Sequence, residues 1–128
     1  MSAHGDPREL ACEALGSVYE DVDAATSSLR ERAPDENRID VRRAVFTALG
    51  NEHRLRILSA LRAGELCVCE LQFVLGAPQS TVATHLRTLR EVGLVKSRKK
   101  GKWTYYRIAD TAVFELLDLA AAIDVPEK

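Results

Sequence analysis

The chain has 128 residues, of which 46% are hydrophobic and 29% are charged, and its formal net charge is −1. These values are ordinary for one globular domain. No apolar run approaches the roughly 20 residues of a membrane span and the N-terminus lacks a signal-peptide pattern, so we expect a cytoplasmic protein with no membrane partner. Three cysteines, two of them one residue apart, make a poor disulfide framework and indicate metal binding, redox chemistry or incidental thiols.

Charge is distributed unevenly along the chain. Residues 1–36 contain nine acidic and three basic side chains, whereas residues 79–107 contain eight basic side chains and one acidic side chain. A basic segment concentrated in a near-neutral protein indicates a surface that faces a polyanion.

The first segment, residues 1–36, is predicted to be an arm and a dimerisation helix. Its apolar residues recur at steps of three and four, a stripe typical of a helix that packs on a partner helix: Leu15, Val18, Val22, Ala25 and Leu29. Ser17 and Glu20 have capping-box spacing, so we expect the firm helix to start near Ser17 and Cys12 to lie on a turn or arm before it. Residues 33–37 predict a linker.

Three helices are predicted next, in a second segment that comprises residues 37–128. Asp40 is expected to cap the first and Gly50 to end it, Asn51 to cap the second, and the third to run from about 67 to 75. The residues expected to face inward are Val41, Ala44, Val45, Ala48 and Leu49, then Leu55, Leu58 and Leu61, and then Leu71, Val74 and Leu75.

A fourth helix follows the turn Ala77-Pro78, buries Val82, Leu86 and Leu89, and is expected to end near Gly93. Two short helices joined by a tight glycine-containing turn predict a helix-turn-helix over about 67–92.

In the remaining residues the apolar positions no longer recur with helical spacing. Two β-prone runs flank Lys99-Lys100-Gly101-Lys102 and predict a hairpin with a basic tip over about 94–108. A last helix over about 111–123 is expected to place Val113, Leu116, Leu117 and Ala120 on one side and to join the dimer interface. The predicted fold class is therefore mainly α (α+β), a winged helix-turn-helix with a C-terminal β-hairpin wing and N- and C-terminal dimerisation helices.

Hydroxyls, an amide and basic groups lie on the predicted DNA-facing surfaces, and such groups can hydrogen-bond base edges or phosphate. On the fourth helix the candidates are Gln79, Ser80, Thr81, Thr84, His85, Arg87 and Thr88, and on the hairpin they are Arg98, Lys99, Lys100 and Lys102. His85 neighbours the buried row, so packing and DNA contact remain equally open for it. No serine–histidine–acid set or phosphate loop is present, so we do not expect an enzyme.

Four stretches carry a family resemblance: residues 48–58 (ALGNEHRLRIL), 64–71 (GELCVCEL), 79–86 (QSTVATHL) and 101–108 (GKWTYYRI). In this order they resemble the ArsR/SmtB family of metalloregulatory repressors. The resemblance implies a homodimer that binds an inverted repeat of operator DNA without any required cofactor and leaves it when an inducer binds.

Within that family, the run Glu65-Leu66-Cys67-Val68-Cys69-Glu70-Leu71 is similar to the signature of arsenic-, antimony-, cadmium- or lead-sensing members. The chain departs from these types in three places. Gln72 stands where the best-known arsenic sensors have a third cysteine, and only Cys12 is available where cadmium and lead sensors have two N-terminal cysteines. No histidine follows Asp110, which argues against a zinc site on the last helix.

Cys67 and Cys69 cannot both coordinate one ion on a regular helix, because residues two positions apart are separated by about 200° around the helix axis. Coordination would therefore distort the first turn of the helix that supports the fourth helix, and this competition can couple ion binding to DNA release. Cys67 follows a glycine break, so we expect it near the N-cap, where a thiolate is favoured.

Cys12 is the candidate third ligand, from the same or the other subunit, and the alternative for Cys12 is a bystander surface thiol. Three sulfur ligands suit As(III), Sb(III) or Pb(II) as inducer, and the family resemblance adds Cd(II). The alternative is a redox sensor in which these cysteines form a sulfenic acid or an intersubunit disulfide.

Overall fold

A computed structural model describes residues 5–126 of the chain. The chain divides into two compact units, Met1–Ile39 and Asp40–Lys128. The helices are α1 (Pro7–Leu15), α2 (Val22–Arg30), α3 (Glu36–Leu49), α4 (Glu52–Ala60), α5 (Val68–Leu75), α6 (Gln79–Val92) and α7 (Thr111–Ala122), and a short 3₁₀ turn covers Leu61–Ala63. The strands are β1 (Leu66–Cys67), β2 (Val95–Lys100) and β3 (Trp103–Ile108).

The first unit contains two helices, α1 and α2, and not one helix that starts near Ser17. Pro7 begins α1, and Asp6 caps it by accepting a hydrogen bond from the Arg8 N–H at 2.8 Å. The Ser17 hydroxyl donates to the Ala14 carbonyl at 2.7 Å, so Ser17 closes α1 and caps nothing. The prediction that Cys12 precedes the first firm helix is therefore wrong, because Cys12 lies within α1.

The start of α3 also differs from the prediction. The Asp35 carboxylate accepts a hydrogen bond from the Asn37 N–H at 2.9 Å, and the helix begins at Glu36, inside the predicted linker. Asp40 consequently lies within α3 and does not cap it. Asn51 does cap α4, accepting from the Arg54 N–H at 3.1 Å, as the sequence predicts.

The second unit is built around one aliphatic core to which α3, α4, α5, α6, α7 and the sheet contribute. Its fully buried side chains include Ile57, Leu58, Leu61, Leu71, Val82, Leu86, Leu89 and Val95. The predicted buried face of α6 is thus confirmed, and Gly93 ends that helix with a left-handed φ of 90°.

Several residues expected to face inward are exposed in the chain: Val41, Ala44, Leu55 and Val74. On α3 only Ala48 and Leu49 are buried, because only the last turn of that helix reaches the core. On α4 the buried face is formed by Ile57, Leu58 and Leu61, which places Leu55 about 110° away from its centre. On α5 Leu71 is the buried residue and Val74 lies outside the core, while on α7 Val113 is the buried residue.

The three strands form one antiparallel sheet in the order β1–β3–β2. In the hairpin Lys100 pairs with Trp103, which leaves Gly101 and Lys102 as a two-residue turn in which Gly101 has a φ of 64°. The predicted basic hairpin is confirmed. The third strand, β1, was not predicted, and it pairs Leu66 with Tyr106 and Cys67 with Tyr105. In the described part of the chain, helices are too short or too polar to span a bilayer.

Candidate nucleic-acid interface and cysteine site

Helix α6 presents a polar face opposite its buried row. Gln79, Ser80, Thr84 and Arg87 are exposed and Thr81 and Thr88 are half-buried. The Thr84 hydroxyl donates to the Ser80 carbonyl at 2.8 Å, so its oxygen is left to accept a hydrogen bond from a ligand. This face combines donors, acceptors and one guanidinium, which is the chemistry needed to read base edges.

The N-terminus of α6 adds free backbone donors. Pro78 stands at the N-cap and its ring has no oxygen to accept from the first turn. The N–H groups of Gln79, Ser80 and Thr81 therefore have no partner within the helix, and the helix dipole makes this end favourable for phosphate.

The wing carries its positive charge at the tip. Lys99, Lys100 and Lys102 are all exposed, and the Lys102 ammonium lies 5.3 Å from the centroid of the Trp103 ring. An ammonium above an indole is held by the ring quadrupole while it keeps its charge. The tip therefore offers three cations suited to phosphate contact.

Arg98, the remaining candidate for DNA contact on the hairpin, is already paired. Its guanidinium donates to both carboxylate oxygens of Glu65, with Nε lying 2.8 Å from Oε2 and 3.1 Å from Oε1, and its second nitrogen, Nη2, also contacts Oε1. The hydrogen bond that Glu65 accepts from Arg98 holds the pKa of the Glu65 carboxyl below its ordinary value, and the same bond raises the pKa of the Arg98 guanidinium. Arg98 thus differs from the three lysines in having an internal anion as its partner.

His85 is half-buried and lies against α4. Arg54 donates from Nη1 to His85 Nδ1 at 3.2 Å, and the His53 ring stacks on the His85 ring with centroids 5.2 Å apart. Because arginine only donates, His85 must be neutral, with its proton on Nε2. Burial, then the charge of Arg54 and then His53, lowers the pKa of His85. The structure places His85 in packing between two helices and leaves its predicted DNA contact untested.

Cys67 and Cys69 straddle the junction between β1 and α5. Cys67 is buried, is the N-cap residue of α5 as the sequence predicts, and has extended backbone with φ of −86° and ψ of 171°. Cys69 lies in the first turn of α5 and is exposed. The pair is therefore not on one regular helix, and bringing both sulfurs to one ion requires a change at the strand–helix junction and not only in the helix.

Glu70 holds this junction in place. Its carboxylate accepts a hydrogen bond from the Cys67 N–H at 3.0 Å, which completes a capping box across the first turn of α5. The backbone hydrogen bond from Cys67, followed by the Cys67 side chain, lowers the pKa of the Glu70 carboxyl. The acidic residue of the motif is thus a structural cap of the cysteine segment.

The third candidate ligand, Cys12, lies half-buried in the first unit, whereas Cys67 and Cys69 belong to the second. Within residues 5–126 no three histidine, cysteine, aspartate or glutamate side chains are grouped so as to hold a metal ion. Two sulfurs suit a thiophilic ion by their chemistry but leave a three-coordinate ion one ligand short.

Four residues of the site were not identified from the sequence: Glu65, Tyr105, Arg54 and Glu70. Arg54 donates to the carbonyls of Ala48 at 2.6 Å and Thr47 at 3.2 Å as well as to His85, contacts that span up to 31 positions and leave no local pattern. Glu70 could have been found, because the spacing from Cys67 to Glu70 is that of a capping box with cysteine in place of serine.

The central part of the chain is similar to a known protein family. The family described as bacterial regulatory protein, arsR family, matches residues 51–97, which include the cysteine pair, α6 and the start of the wing.

Several curated relatives are named for resistance to toxic ions, and two of them serve as examples. The arsenic resistance transcriptional regulator ArsR1 of Pseudomonas putida is 46% identical over 65 residues, which is 50% of this chain and 51% of that protein. A cadmium resistance transcriptional regulatory protein CadC homolog of Staphylococcus aureus is 36% identical over 105 residues, which is 80% of this chain and 83% of that protein.

A solved structure matches in fold as well. It is the solution structure of a homodimeric winged helix-turn-helix DNA-binding domain from Mycobacterium bovis, described as a possible ArsR-family transcriptional regulator. It is 33% identical, with a TM-score of 0.63, and the match covers 70% of this chain and 85% of that domain. The fold is a winged helix-turn-helix, and the chain belongs to the ArsR family of bacterial transcriptional regulators.

Proposed function

We propose that the chain is a homodimeric repressor that binds an inverted repeat of operator DNA and releases it when a thiophilic ion binds its cysteines. The inducer is As(III) or Sb(III), with Cd(II) and Pb(II) as further candidates of the same soft character. The protein acts in the cytoplasm and needs no cofactor to bind DNA.

The DNA-facing surface consists of the polar face of α6, its uncapped N-terminus and the lysines of the wing tip. α6 enters the major groove, where Gln79, Thr84 and Arg87 meet base edges. Lys99, Lys100 and Lys102 contact phosphate beside it. Arg98 joins them through its Nη1 group, which Glu65 does not occupy.

A homodimer follows from the two-fold symmetry that an inverted repeat requires. The C-terminal end of the chain supports it, because Leu119 on α7 and Ile123 directly after α7 are 68% and 66% exposed in the single chain. The M. bovis relative is described as homodimeric. α7 and the helices of the first unit are the proposed interface.

The sensor assignment depends on one observation: Cys67 and Cys69 lie at the start of α5, the helix that packs directly on α6. Leu71 of α5 shares the core with Val82 and Leu86 of α6. A movement of the first turn of α5 therefore reaches α6, the proposed recognition helix, through packed side chains. The arsenic and cadmium resistance regulators among its relatives support ions of this class as inducers.

Cys12 is the proposed third sulfur ligand, from the same subunit or from the partner. Its support is chemical, because it is the remaining cysteine of the chain and two thiolates leave As(III) incomplete. Its position within α1 and its half-buried side chain give the thiol a fixed place from which to bind.

A mobility-shift titration on the DNA upstream of the chain's own coding sequence tests this function. Arsenite, antimonite, cadmium, lead, zinc and peroxide are added in parallel to the pre-formed complex. Release by the soft ions but not by zinc or peroxide supports the proposal. Release by peroxide without metal would replace it with the thiol-based redox sensor, and failure to bind the DNA would contradict both.

A further inference from the structure

The cysteine segment and the wing are joined by one row of side chains across the sheet. Cys67 on β1 pairs with Tyr105 on β3, and Tyr105 pairs in turn with Arg98 on β2. Directly paired residues of an antiparallel sheet project from the same face, so the three side chains are neighbours in a line. The Arg98 guanidinium carbon lies 5.7 Å from the centroid of the Tyr105 ring, which agrees with this arrangement.

Glu65 closes the row at the cysteine end. Glu65 directly precedes β1 and lies two positions before Cys67. Its carboxylate accepts the bidentate hydrogen bonds from Arg98 described above. The side chains of Glu65 and Arg98 are 29% and 47% exposed, so the pair is partly shielded from water. A bidentate arginine–carboxylate pair also fixes the relative orientation of the two side chains, which a surface ion pair with a single hydrogen bond does not.

The strand that links these groups is short. β1 has two residues, and its pairing with β3 is limited to Leu66 and Cys67. Cys67 is buried on β1 opposite Tyr105 whereas Cys69 is exposed on α5, so binding of one ion by both sulfurs requires a rearrangement at the junction of β1 and α5. Any such movement pulls on Glu65, and through Glu65 on Arg98 and β2.

We propose that Glu65 is a positioning residue that couples the cysteine segment to the wing through Arg98. The wing is then a second output of ion binding, alongside the α5–α6 contact. This inference deepens the proposed function and rests on it. Without an ion the pair holds the hairpin in one orientation for DNA, and displacement of Cys67 releases it.

The test compares the wild-type chain with Glu65→Gln, which keeps the size of the side chain and removes its charge. DNA affinity is measured with and without arsenite, and the ratio of the two affinities gives the coupling. Without arsenite we expect Glu65→Gln to bind DNA at least about fivefold more weakly than the wild type, because the hairpin is no longer held in its DNA-binding orientation, whereas with arsenite the two proteins should bind DNA alike. We expect the coupling ratio to fall at least about fivefold, the lower end of ordinary allosteric coupling.

Two further measurements distinguish a loss of coupling through Glu65 from a nonspecific loss of folding or of arsenite binding. Trp103 is the single tryptophan of the chain and lies on the wing, so its fluorescence reports the hairpin. Arsenite should change this fluorescence in the wild type and much less in Glu65→Gln, although both bind the same amount of arsenite. The double variant Glu65→Gln/Arg98→Gln should show the same coupling ratio as Glu65→Gln alone, because both changes break one contact.

Glu52→Gln is the matched control, since Glu52 pairs with Arg56 at 2.5 Å on α4, away from the sheet. It should keep the wild-type coupling ratio. If Glu65→Gln also keeps that ratio and the Trp103 response, the coupling through Glu65 is wrong while the sensor function stands. If no ion releases the wild-type chain, the proposed function fails and this inference with it.

Discussion

Arg54 on α4 donates a hydrogen bond to Nδ1 of His85 on the recognition helix across 3.2 Å. The same guanidinium donates to the carbonyls of Ala48 and Thr47 at the end of α3. One side chain therefore ties α3, α4 and α6 together at the edge of the core.

Loss of these contacts should destabilise the fold. Arg54→Ala leaves the Ala48 carbonyl and His85 Nδ1 without their donor, and we expect the free energy of unfolding to fall by about 1–3 kcal/mol. Urea unfolding measures it. The matched control is Arg56→Ala, whose exposed pair with Glu52 should contribute no more than about 0.5 kcal/mol. Equal losses in the two variants would contradict the bridging role of Arg54.

The neutral state of His85 predicts a pH dependence of stability. Because the pKa of His85 is lowered in the fold, the unfolded chain binds more protons between the ordinary histidine pKa of about 6.5 and the lower folded value. Stability from this residue is fully present above about pH 6.5 and decreases as the pH falls through that window. Urea unfolding from about pH 7.5 to 5 should therefore show a steeper loss in the wild type than in His85→Gln. Parallel profiles would show that His85 titrates alike in both states.

The wing lysines predict a specific change in salt dependence. Lys100→Gln should weaken binding to operator and unrelated DNA alike and should reduce the slope of log affinity against log salt by about 0.9. Fluorescence anisotropy at several salt concentrations measures both. Arg62→Gln is the control, because Arg62 is paired with Asp118 at 2.9 Å. A loss confined to the operator would instead assign Lys100 to base recognition.

Arg87 should behave differently from the lysines. It is exposed on α6, and as a base contact its replacement by alanine should cost about 1–3 kcal/mol on the operator and relax specificity at one position. Anisotropy with operators substituted at single positions tests this. If Arg87→Ala weakens all sequences equally, Arg87 contacts phosphate and not a base.

Cys12 can be assigned by counting sulfur ligands. X-ray absorption of the arsenite-bound protein should show three sulfur neighbours in the wild type and two in Cys12→Ser. A shell of two sulfurs that is unchanged in Cys12→Ser would remove Cys12 from the site and leave it a bystander on α1.

The recognition helix and wing were predictable because their signals are local. Val82, Leu86 and Leu89 repeat with helical spacing and Gly93 ends the run, while the β-prone strands flank a glycine turn. The N-terminal unit was not, because two cap signals compete there. Ser17 and Glu20 have the spacing of a start, but Asp6 with Pro7 begins a helix earlier and Asp21 caps a second one, accepting from the Ala24 N–H at 3.0 Å.

The sensor region was predictable in part. The glycine break before Cys67 correctly predicted an N-cap, yet a two-residue strand has no periodicity to detect. The Glu65–Arg98 pair joins residues 33 positions apart, and nothing local in the sequence indicates that they meet. Because Cys67 belongs both to the sheet and to the N-terminus of α5, its proposed movement affects the wing as well as the recognition helix α6.

The central claim, that Cys67 senses the inducer, is tested most directly by Cys67→Ser in a mobility-shift titration with arsenite and antimonite. Serine keeps the size of the side chain and removes the soft ligand. The account predicts that the variant binds operator with wild-type affinity and remains bound at concentrations that release the wild type. Release of the variant at the same concentrations as the wild type would contradict the account.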